Sequence, residues 1–166
     1  MIVCVKPALI FKQAHALCVK QYPGHKHGCP NFNHKVGCPP NTPNLYDLIE
    51  QEPVIAIINE FDLGVHVQRR RNHHPNLTDR QARCLLYWQG TARVQLRKQI
   101  SGYLKEHSDH VVTTCPEALG VDVTITLANA GIILEWPPIQ IVRQVALAGL
   151  AREDKPLINF WHVIYG

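Results

Sequence analysis

The sequence predicts an α/β or α+β domain: one mixed sheet with flanking helices, interrupted by a long loop rich in cysteine, proline and glycine. Three observations lead there. Val54-Ile55-Ala56-Ile57-Ile58 is an unbroken apolar run, the signature of a strand covered on both faces. Leu85, Ala92, Leu96, Ile100 and Tyr103 recur at helical spacing within a polar, basic stretch, which predicts an amphipathic helix. Residues 22–43, YPGHKHGCPNFNHKVGCPPNTP, have neither period and hold five of the twelve prolines, so they form no regular element. At 166 residues the chain suits a single domain, 1–166, large enough to fold without a metal staple.

Taken in order, Met1 to Val5 is apolar and β-leaning, and Lys6-Pro7 ends it. Ala8 to Lys20 reads as a helix with Pro7 near its first turn, delivering the chain to the 22–43 loop with Cys18 on its apolar face as a buried structural thiol. Residues 44–49 predict a short helix and 54–58 the covered strand, with Glu60, Asp62 and His66 following its end. Thr78 is an N-cap for a long helix reaching Glu106, with Gly90 the place for an interruption. His110 to Thr114 is a strand that hands over to a helix from Pro116 to Ala130, stopped by Gly131. Ile132-Ile133-Leu134 reads as a strand ended by Pro137-Pro138, and 140–150 with 157–165 as a closing antiparallel pair.

Charge is distributed unevenly. Positions 66–106 hold nine Lys or Arg against two acids, whereas the rest of the chain is net acidic. Arg93 and Arg97 lie one helical turn apart, with Tyr87 and Trp88 close by. This pattern predicts an anionic partner, RNA or a nucleotide, contacted by Arg93, Arg97 and Trp88, with His27 of the loop facing the same substrate. The N-terminus has no signal-peptide character, and no stretch reaches the roughly 18 apolar residues of a membrane span, so the expectation is a cytoplasmic protein with no membrane partner.

In that compartment six cysteines argue for metal or catalysis over disulfides. Two of them stand in matched frames, Gly28-Cys29-Pro30 and Gly37-Cys38-Pro39, and a third Cys-Pro step, Cys115-Pro116, comes where a strand gives way to a helix, a position that lowers a thiol pKa. Three thiolates from two distant segments suit a metal with one coordination position open, either zinc or a 4Fe-4S cluster. Soft ligands do not separate the two metals. Glu117 and Asp122, just after Cys115, are the candidate catalytic acids or, equally, helix caps. No GxSxG, P-loop, HExxH or GxGxxG occurs.

The blocks YPGHKHGCPNFNHKVGCPP and TCPEALGVDVTITLANAGI resemble a prokaryotic family of uncharacterised, cysteine-containing predicted metal-binding proteins, in which a Cys-Pro-Pro loop precedes a later Cys and a Glu-Ala-x-Gly-(Ile/Val)-Asp-Val helix. The likeness covers about a third of the chain. It implies that Cys29, Cys38 and Cys115 form one metal site with Glu117, Gly120 and Asp122 nearby, and that the metal is an iron–sulfur cluster. The chain lacks the paired cysteines that the family carries before the second block, having only Cys84 there. Three functions are expected from these residues. The first is an iron–sulfur enzyme for sulfur transfer or removal on a nucleotide, RNA base or small metabolite. The second is a zinc-stabilised nucleic-acid-binding module using His25 or His27. The third is a metal-free redox thiol protein.

Overall fold

A computed structural model describes residues 1–21, 26–35 and 37–152. The architecture is α+β. Its main sheet has the order β1-β3-β6-β4, with β1 Ile2–Val5, β3 Ile49–Asp62, β4 His110–Thr113 and β6 Ile141–Ala151, and every neighbouring pair is antiparallel. A second, two-stranded sheet joins β2 Ala8–Leu9 to β5 Val121–Asp122. Among the described residues five α-helices accompany the sheets: α1 Phe11–Cys18, α2 Leu63–His73, α3 Asp79–Ala82, α4 Gln89–Glu106 and α5 Val123–Asn129.

The run at 54–58 is covered on both faces, but inside a longer antiparallel strand, because helices and loops of this α+β fold clothe both sides. Side chains alternate along a strand. Ile57 therefore packs with Leu96, Ile100 and Tyr103 of α4 and Val112 of β4, while Val54, Ala56 and Ile58 pack with Leu119, Val121 and Leu127 on the other side. The buried positions Ala92, Leu96, Ile100 and Tyr103 keep α4 on the sheet at a four, four, three spacing. Asn59, buried in β3, locks the contact: its amide nitrogen donates to the Ala92 carbonyl (3.2 Å) and its oxygen accepts from Gln99 (3.0 Å).

Four sequence expectations change. The helix expected from Ala8 starts at Phe11, because Ala8 and Leu9 are drawn into pairing with Asp122 and Val121. The helix expected over 78–106 begins as predicted, with Thr78 accepting from Gln81 N, but it breaks into α3, a 3-10 turn Leu85–Tyr87 and α4. The break lets Trp88 turn inward to stack on Phe61 (5.5 Å) and donate from its indole nitrogen to the Arg83 carbonyl (3.1 Å). Gly90 lies inside α4. The helix expected over 116–130 is a 3-10 turn Pro116–Leu119 that ends at Gly120 in the left-handed region (φ 82°), then β5, then α5. Residues 132–134 form no strand. Helix α2 went unread: Asp62 caps it by accepting from Val65 N (2.7 Å), and Leu63 and Val67 anchor it. The strand expected at 157–165 lies outside the described residues. Among the described residues no helix is long and apolar enough to cross a membrane.

Candidate metal centre

The site is assembled by tethers between segments far apart in sequence. Described residues of the loop are tied to one another: Phe32 N donates to the Cys29 carbonyl (3.1 Å), Asn33 N to the Pro39 carbonyl (2.7 Å) and Cys38 N to the Lys35 carbonyl (3.0 Å). Its start is fixed to the end of α1 by Cys29 N donating to the Cys18 carbonyl (2.7 Å). Gly28 permits this. Its φ of +80° is left-handed, and a Cβ there would be driven into the Cys18 carbonyl oxygen. The loop's end is fixed to the Cys115 turn by buried Thr42, whose hydroxyl donates to the Ala118 carbonyl (2.9 Å). The base of α1 is fixed to the same turn by Ile10 N donating to the Gly120 carbonyl (2.7 Å).

These tethers bring Cys18, Cys29, Cys38 and Cys115 onto one cleft of about 850 Å³, facing α4 and β6. All are free thiols. Cys18 is a correction: it lines the cleft with the three expected cysteines and is not a core residue. Its position at the end of the helix that feeds the loop is the sequence signal for this placement. Burial raises the Cys18 thiol pKa, and the thiolate charges of Cys29 and Cys38 raise it further. Cys38 is likewise raised, mainly by burial, with Lys35 pulling down and Cys115 and Cys29 pushing up.

Cys115 corrects the expected lowering of its thiol pKa. The element after it is a four-residue 3-10 turn, too short to supply a helix dipole, and the thiol is raised, chiefly by burial. The Thr114 hydroxyl, Lys35 and Arg93 oppose that rise, while Glu117 adds to it. Burial also raises the Glu117 carboxyl, with repulsion from Asp122 adding to it. Cys115 and Glu117 are nevertheless exposed. Both line a concave wall, where water reaches the side chain while protein surrounds most of it.

Glu117, Asp122, Arg93 and Arg97 all line the same cleft. Asp122 also caps α5 by accepting from Ile125 N (2.8 Å), the capping role its position allowed. Trp88 does not face the cleft: it is 5 % exposed and belongs to the core with Phe61 and Val142. His27 is exposed and is not among the cleft residues, and His25 lies outside the described residues. Cleft residues that the sequence did not single out include Trp136, Arg143 and Gln144.

Among the described residues, no three His, Cys, Asp or Glu groups stand close enough to share one metal ion. Tetrahedral zinc, with Zn–S of about 2.3 Å, gathers its sulfurs to within about 4 Å of one another. A 4Fe-4S cluster binds each thiolate to a different iron and accepts a wider set. No family model, curated protein or solved structure matches this chain, so the likeness of its two Cys-Pro blocks to the uncharacterised metal-binding family rests on those residues alone.

Proposed function

We propose that this protein is an iron–sulfur enzyme of a reducing, cytoplasmic compartment, with Cys29, Cys38 and Cys115 holding a 4Fe-4S cluster and the adjoining cleft receiving an anionic, sulfur-bearing substrate. The observation that supports this reading is the convergence of thiols from α1, the loop and the Cys115 turn on one cleft that also carries Arg93 and Arg97, which have no ion-pair partner among the described residues. When bound, a cluster with one iron free of protein ligands offers a Lewis-acidic position that a substrate sulfur can occupy, which suits sulfur transfer or removal. The chain's own residues do the rest. Arg93 and Arg97 attract and orient the anionic group. Glu117 and Asp122, beside Cys115, are the groups able to hold or pass a proton on the thiol side. Leu96, Val121 and Leu134 line the cleft with apolar surface.

Anaerobic purification tests the reading. The protein is expected to be brown, with about four irons per chain and a broad absorption at the blue end of the visible spectrum, lost on changing Cys29, Cys38 or Cys115 to Ala. A colourless protein with one tightly held zinc, or a metal-free protein that reversibly loses two hydrogens on mild oxidation, overturns it in favour of the zinc module or the redox thiol.

A further inference from the structure

The charge of the 66–106 segment does not form one basic face. Asp79 binds both Arg71 (3.0 Å) and Arg83 (2.8 Å). The Arg70 guanidinium lies 3.6 Å from the centre of the Tyr87 ring. Lys98 lines a separate, shallower recess with Asn59 and Glu60. On the cleft itself Arg143 is held by Glu60 (2.7 Å) and donates to the Ile133 carbonyl (2.9 Å). Arg93 and Arg97 differ: both line the cleft, and neither has an ion-pair partner among the described residues.

The cleft is also polarised. Glu117 and Asp122 line it together with Cys115, so an anion is repelled from those carboxylates and drawn to α4. The apolar surface between is supplied by Leu96, Leu134 and Val145, and Trp136, 71 % exposed, marks where the cleft opens to solvent. A tryptophan so exposed, on the rim of a cleft, offers a ring face on which a flat molecule can stack.

We infer that the cleft takes a small, flat molecule carrying one phosphate or carboxylate group, with the anion on Arg93 and Arg97 and the ring against Trp136, and that a nucleic-acid polymer is not its ligand. A volume of about 850 Å³ is that of a small-molecule site. A polymer would instead need a continuous basic track, and here the cations are divided among α2, α3 and separate sides of α4, several of them already paired. The inference depends on the cleft being the substrate site of the proposed enzyme, but not on the cluster.

The test is calorimetric titration of the anaerobically purified protein with uridine 5′-monophosphate, orotate, uridine and a short single-stranded RNA. At least one of the two anionic monomers is expected to bind at least about tenfold more tightly than uridine, and each of R93Q and R97Q to weaken it at least about tenfold, the scale of a lost charge-assisted hydrogen bond. Control R80Q, on exposed α3, should leave binding unchanged. The stronger monomer identifies the anion as phosphate or carboxylate. Uridine binding as tightly as both, no binding of either anion, indifference to both substitutions, or RNA as the tighter ligand each overturns the inference. Iron measured on the same samples separates the two proposals. Iron present without anion binding sinks only the cleft's ligand, and anion binding without iron sinks only the cluster.

Discussion

The two walls of the cleft are held by different forces. The α4 wall is ordinary core: Ala92, Leu96, Ile100 and Tyr103 are buried against the sheet, and each large apolar side chain contributes about 1.5–3 kcal/mol by leaving water. Asn59 adds fixed hydrogen bonds beneath it. On the thiol wall the Cys115 turn is seated by buried Pro116 and Leu119, but the loop that carries Cys29 and Cys38 has almost no core. Within 26–43 the buried positions among the described residues are Gly28, Pro39 and Thr42, and shape comes from backbone hydrogen bonds and a few tethers. One wall therefore keeps its form by packing, while the other holds by local geometry and has the most to gain from what its thiols bind.

The comparison breaks most visibly at Ile100, which is fully buried. Ile100→Ala should cost about 2–5 kcal/mol through lost burial and the cavity it leaves. Chemical denaturation should show the whole fold weakened, while below the transition the iron of the proposed cluster should stay bound. Iron lost in step with a fully folded circular-dichroism spectrum would mean that the two walls are coupled more tightly than their contacts indicate.

Much of the α4 wall was legible in the sequence because period and burial are local signals. The Leu96, Ile100, Tyr103 spacing and the 54–58 run both mark true core positions. What escaped was decided by tertiary contacts. Trp88 looked like an exposed aromatic beside arginines, yet Phe61, 27 positions earlier, pulls it inward and breaks the helix. The helix expected over 116–130 runs through Gly120, yet the left-handed turn there releases Val121 and Asp122 to pair with Leu9 and Ala8, in that order. The thiol wall could be read as chemistry, since Cys29, Cys38 and Cys115 do line one cleft. The Thr42 tether could not be read with equal ease, because no sequence pattern announces which backbone carbonyl a loop will fold against.

A smaller change sharpens the comparison from the other side. Gly28→Ala places a Cβ against the Cys18 carbonyl and forces a left-handed residue, costing about 1–2 kcal/mol in backbone energy. For a chain of this size that is a melting shift of about 2–4 °C per kcal/mol. Iron content should fall far more than this modest shift implies, since the substitution moves Cys29 while leaving the α4 core untouched. Iron content unchanged at the expected melting shift would show that the loop tolerates the displacement and that the hydrogen bond from Cys29 N to Cys18 does not set the thiol spacing.

The smallest expected effect is at Cys18, and it decides what kind of site this is. Cys18 shares the cleft with the three proposed ligands, close enough for the charges of Cys29 and Cys38 to act on its thiol. If three thiolates hold the cluster and the fourth iron faces substrate, Cys18→Ala removes only a neighbour: iron per chain and the visible absorption should match the unaltered protein, with stability nearly unchanged because the side chain is only partly buried. If Cys18 is itself a ligand, the same substitution should strip or convert the cluster as thoroughly as the other three. Every iron then has a protein thiolate, no position remains for a substrate sulfur, and the protein becomes an electron carrier or a structurally clustered protein with an anion cleft beside it. Iron analysis and the visible spectrum of this one variant, compared with Cys115→Ala purified in parallel, separate a site open to substrate from one closed by its own chain.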